Sequence, residues 1–119
     1  MSYKDVLNKI LKIDKKIRFA TITDLNGDIS ISGHHQDVKN ILTYNESQQL
    51  LQLAVKSWNA RNLYKHKIGL GECAIAVYEK LERITVRLDD AHLAYLTTER
   101  DADHDKIVLE IRKIESHKK

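Results

Sequence analysis

The chain has 119 residues, one cysteine and no proline, with 42% hydrophobic and 31% charged residues. That balance excludes a disordered chain, the length suits one domain able to bury a core of its own, and a lone cysteine excludes an internal disulfide. A formal net charge of +3 is too small to argue for nucleic acid by itself.

Ser2 is placed to cap a first helix, with Asp5 at its third position, where a carboxylate suits the free N–H groups. Val6, Leu7, Ile10 and Leu11 repeat at helical spacing, and Asp14-Lys15-Lys16 ends the helix near residue 14. Ile17 to Thr23 is rich in β-branched residues, Asn26-Gly27 follows, and Ile29 and Ile31 come next. This predicts a hairpin with strands at about 17–24 and 28–33 and a positive φ in the turn. Gly33-His34-His35 begins a loop. Thr43-x-x-Glu46 is a capping box that opens a long helix reaching Lys67, where Gly69 and Gly71 stop it. Strands are predicted at 72–78, 83–88 and 91–98, joined by turns at 79–82 and 89–90. Asp101 or Asp103 caps a last helix that puts Ile107, Val108, Ile111 and Ile114 on one face.

The order is therefore helix-strand-strand-helix-strand-strand-strand-helix. It predicts an α+β fold, one domain over residues 1–119, with a five-stranded, mainly antiparallel sheet and helices against its faces. No apolar run approaches the roughly 18–20 residues that span a bilayer. The first residues lack the apolar stretch of a signal peptide, so a cytoplasmic setting is expected.

On a helical wheel the apolar residues of 50–67 spread over roughly 200°, where a helix on a sheet needs about 100–140°. The excess predicts a second buried contact, with another helix of the chain or with the same helix of a second copy. The alternating apolar strand beside it invites a partner at its edge. The expected homodimer interface comprises Leu51, Val55 and Trp58 of the helix and Cys73 and Ile75 of the strand. Cys73 stands among Ala74, Ile75 and Val77 and reads as a buried structural cysteine rather than a nucleophile.

No acid stands between Glu46 and Glu72, and Lys56, Arg61, Lys65 and Lys67 interleave there with Trp58 and Tyr64. Such a stretch can dock an acidic protein surface, track a phosphate backbone, or be a solvated basic end. Lys56, Arg61, Lys65 and Lys67 are the partner-binding candidates. His34-His35 with Asp37 is a poor metal set, because adjacent side chains on extended backbone point to opposite sides. Asp101-Ala-Asp103-His104-Asp105 lacks the glycine and bidentate glutamate of a calcium loop. Gly69-Leu-Gly71 lacks the lysine of a phosphate-binding loop, and no Ser/His/Asp set emerges from spacing. No catalytic residue, cofactor or metal is expected, and the chain is read as a non-enzyme.

The element order and the run Arg18–Gly33, RFATITDLNGDISISG, resemble the roadblock/dynein light chain family, within the profilin-like and longin-like superfold. In that family a first strand ends in an aspartate and a turn glycine, and a long helix and a three-stranded meander follow. The lysine- and isoleucine-rich, proline-free composition is also similar to that of small archaeal members. The resemblance implies a non-catalytic protein that pairs through its long helix and the neighbouring edge strand and serves as a platform or regulator for small Ras-like GTPases. The chain departs in its loop from Gly33 to Leu42 and in the basic Lys56–Lys67 segment. Two rival readings remain. One is a PAS-like or GAF-like sensory domain holding a small ligand, although few polar residues are expected to point inward. The other is a nucleic-acid-binding module, which would show steep salt dependence.

Overall fold

A computed structural model describes residues 2–35, 38 and 41–118. The elements are α1 (Tyr3–Ile13), β1 (Ile17–Asp24), β2 (Ile29–His34), α2 (Tyr44–Arg61), α3 (Lys65–Ile68), β3 (Cys73–Val77), β4 (Leu81–Arg87), β5 (His92–Glu99) and α4 (His104–Lys118). Both expected helix starts are capping boxes. The Asp5 N–H donates to the Ser2 hydroxyl (3.2 Å), and the Glu46 N–H donates to the Thr43 hydroxyl (3.2 Å). Asp103, not Asp101, caps α4 by accepting from the Lys106 N–H (3.1 Å). Asp101 instead pairs with Lys16 at 2.9 Å, which holds its carboxyl below the usual range.

The β1–β2 hairpin forms where Asn26-Gly27 predicts it, with three residues in its loop. Asp24 Oδ1 accepts from the Asn26 and Asp28 N–H groups at 2.8 and 3.0 Å, and the Asp24 N–H donates to the Asp28 carbonyl at 3.0 Å. Within the turn only Gly27 has positive φ, 87°, and the pairing register shifts between Ile22 and Thr23, as a glycine bulge requires. A Cβ on Gly27 would also meet the Gln52 amide at 2.5 Å. Gly27→Ala is therefore expected to lower stability by about 1–2 kcal/mol, read from the urea midpoint, and Asn26→Ala to change it much less.

All neighbouring strands pair antiparallel in the order β2-β1-β5-β4-β3. The crossover through α2 carries the chain from one edge to the other, and β5 returns to the centre beside β1. The pleat splits each strand between two faces. One face, with Ala20, Ile22, Ile84, Val86, Ala94 and Leu96, forms the main core beneath α1 and α4. Against it lie Val6 and Ile10 of α1 and Ile107 and Ile111 of α4, all fully buried. The other face carries α2, on a smaller cluster of Leu51, Val55 and Tyr95.

The long helix ends at Arg61, not at Lys67. The apolar stripe Leu51, Val55, Trp58 would next recur at positions 62 and 65, which hold Asn62 and Lys65, so nothing draws further turns onto the sheet. Asn62 closes the helix. Its amide donates to the Trp58 carbonyl (3.3 Å), and its Oδ1 accepts from the Gly71 N–H (2.8 Å). The separate turn α3 stops at Gly69, whose φ is 88°. β4 starts at Leu81, two residues before the expected Arg83, because the Tyr78 N–H donates to the Leu81 carbonyl (2.8 Å) across a tighter turn.

Candidate interaction face

The hydrogen bonds of α2 fix which way each side of it faces. Toward the hairpin, the Gln52 and Asn59 amides donate to the carbonyls of Gly27 (3.2 Å) and Leu25 (3.0 Å). Toward β3, the Arg83 guanidinium donates to the Leu50 carbonyl (3.2 Å) and its Cζ stands 5.2 Å from the centre of the Tyr78 ring. Ala54, Ser57 and Arg61 face Ala74 and Ala76 of β3 across a shallow groove with Tyr95 at its floor. Burial raises the Tyr95 phenol above its usual range, opposed by its hydrogen bond with Arg83, so the ring stays neutral.

Leu51, Val55 and Trp58 are 2%, 4% and 3% exposed, so the chain already covers them itself. They hold α2 on the sheet, and their expected place in an interface with a second copy is corrected. A helix keeps its most continuous apolar stripe, i, i+4, i+7, for the face it lies on. The apolar excess sits elsewhere, with Leu53 50%, Ile75 37% and Val77 53% exposed. Cys73 is exposed as well, against the expectation of burial. Its register partner Val86 is covered by the main core, but β3 is the edge strand and reaches past that cover. The result is a strand open along one side, with apolar side chains on both faces, next to the uncovered flank of α2. Arg112 pins the residue before β3 to α4 by a two-point bond to Glu72 at 2.9 and 3.0 Å.

Lys56, Arg61, Lys65 and Lys67 are all exposed but do not form one patch. Lys56 lies beside Gln52 and Leu53 on the outer side of α2, Arg61 lines the β3 groove, and Lys65 and Lys67 stand on α3. Trp58 is buried beneath them and cannot stack on a base. Val77, Tyr78 and Arg83 are not among the site residues expected from the sequence. The alternation that marks Ile75 marks Val77 equally, but nothing local places Arg83 under α2.

The acidic stretch after β5 is split among three tasks. Asp101 bonds Lys16, Asp103 caps α4, and His104 Nδ1 lies 3.3 Å from Glu82 Oε1. Asp37 lies outside the described residues. Among the described residues no group of three or more His, Cys, Asp or Glu is placed to hold a metal ion. Among them, too, no helix is long and apolar enough to cross a membrane.

No family model matches the sequence, and no curated protein matches it significantly. Solved structures do match the fold. The gliding protein MglB from Thermus thermophilus superposes with a TM-score of 0.77 at 14% identity, over 94% of this chain and 82% of that one. An MglB described in a tetrameric arrangement gives 0.78 at 15% identity, over 96% and 82%. A roadblock/LC7 domain from Streptomyces avermitilis gives 0.75 at 8% identity, over 98% and 94%. The fold is thus the roadblock/LC7 fold, as the run Arg18–Gly33 implies. The archaeal likeness of the composition finds no support among these matches.

Proposed function

We propose that the whole chain is one roadblock-like, non-catalytic interaction module that pairs with a second copy and serves as a scaffold or regulator for a partner protein, a small Ras-like GTPase in the reading favoured by the fold. The observation that carries this is the open edge β3, with Ile75 and Val77 exposed, together with Leu53 exposed on the outer side of α2. A two-fold axis between two copies buries both surfaces with the same surfaces of the other chain and joins the two sheets through β3. A stable pair needs on the order of 1,200–2,000 Å² of total buried area. That an MglB of the same fold is described in a tetrameric arrangement supports self-association as a property this architecture can host.

The partner's docking site is proposed at the basic end, Arg61, Lys65 and Lys67, with Lys56 apart from it on the outer side of α2. Acidic surfaces suit it, and no acid of α2 after Glu46 opposes them. The test is pull-down of purified small Ras-like GTPases in both nucleotide states. The native chain is expected to retain one of them, and Arg61→Glu with Lys65→Glu to lose it while melting within about a degree or two of the native protein. Retention by the double variant, or no GTPase bound by the native chain, contradicts this docking site.

A further inference from the structure

A cavity of ≈ 250 Å³ lies between the first half of α2 and the strands β2, β1 and β5, with Leu81 at the start of β4 closing one side. Phe19, Leu42, Leu51 and Tyr95 give it apolar walls. An apolar cavity of about 150 Å³ already takes up benzene, so this one has room for a ring with a substituent. Its floor is polar. Thr21, Ser32 and Thr97 alternate along their strands with the core residues Ala20, Ile22 and Leu96, so the pleat turns their hydroxyls toward α2. Thr21 and Ser32 hydrogen-bond each other at 2.8 Å across β1 and β2. This face thus carries a row of hydroxyls along the cavity, Thr21 and Thr97 half-buried and Ser32 exposed.

The charges around the cavity select its occupant. Among the described lining residues, Arg18 is the one with a permanent charge, and none is a carboxylate. Its guanidinium is largely buried and held in place by Glu99 Oε1 at 2.9 Å. His34 is fixed too. Its Nδ1 lies 2.8 Å from the His35 carbonyl, which can only accept, so Nδ1 carries the proton. Its ring lies 5.2 Å from that of Phe19. An ammonium group finds no counter-charge among the lining residues, whereas a carboxylate finds Arg18 and hydroxyl donors.

We propose that this cavity is a binding site for a small apolar carboxylic acid, its body between Phe19, Leu51 and Tyr95 and its carboxylate toward Arg18. The site stands independently of self-pairing, because it lies on the opposite side of α2 from β3. Calorimetric titration of the full chain with three probes of one shape tests it: naphthoate, neutral naphthamide and cationic naphthylmethylammonium. Naphthoate is expected to saturate one site per chain, naphthamide to bind more weakly, and the ammonium probe not to saturate. Arg18→Met is expected to weaken naphthoate about tenfold and leave naphthamide unchanged. Ser47→Phe, at the rim on α2, fills the space and is expected to abolish both, with its circular dichroism spectrum reporting that the chain still folds. Absence of saturable naphthoate binding at millimolar concentration overturns the proposal. So does undiminished binding by a folded Ser47→Phe chain, or an ammonium probe that binds as tightly as naphthoate.

Discussion

Replacing Val55 by Asp is expected to unfold the chain. Val55 stands midway along the stripe by which α2 lies on the sheet, between the equally buried Leu51 and Trp58, and Tyr95 closes the far side. A carboxylate there loses the methyl contacts and is left buried without a partner, a combination costing about 3–5 kcal/mol. Folded domains of this size are stable by about 5–15 kcal/mol, so the whole margin is lost at the lower end of that range. Urea denaturation followed by tryptophan emission reads the change directly, because Trp58, the chain's one tryptophan, sits in the same stripe. A Val55→Asp chain with native stability would show that α2 does not rest on the sheet through these residues.

The second large effect falls on association and spares the fold. Leu53→Arg combined with Ile75→Lys places one charge on the exposed outer side of α2 and one on the β3 edge. A charge on an edge strand blocks strand addition, and a buried like-charge pair across a two-fold axis is costly. Self-association is expected to weaken by at least about 100-fold, since losing two central contacts costs roughly 3 kcal/mol or more. The melting temperature of the dilute chain is expected to change by no more than a few degrees, because both side chains are already in contact with water. Light scattering over a concentration series distinguishes the two variants: Val55→Asp loses the fold, whereas Leu53→Arg with Ile75→Lys keeps the fold and loses the pair.

Much of this architecture was legible in local signals. Both capping boxes, the hairpin at Asn26-Gly27, the α4 face of Ile107, Ile111 and Ile114, and the strand count are short-range features, and the structure contains them. What local signals do not carry is the sheet order. The central pairing joins β1 to β5 across some seventy residues, and only the tertiary fold brings Thr21 opposite Tyr95. The same distance hides the cavity, whose lining comes from four strands, a helix and the two residues Ile41 and Leu42 before it. That Leu51, Val55 and Trp58 face the sheet is hidden for another reason. A wheel shows how wide an apolar arc is but not which part faces the sheet, and an alternating strand such as Cys73–Val77 reads alike at the centre and at the edge. The break at Asn62 was readable, since the apolar stripe of α2 has no member after Trp58. The basic residues around it masked that gap by suiting a helix C-terminus.

Sedimentation equilibrium of the native chain at micromolar concentration tests the central claim most directly. The proposed pairing rests on exposed Ile75 and Val77 at the open edge strand and exposed Leu53 on α2. A species of twice the chain mass, reverting to a single chain on Leu53→Arg with Ile75→Lys, is the result this account predicts. A native protein that sediments as a single chain throughout would contradict it.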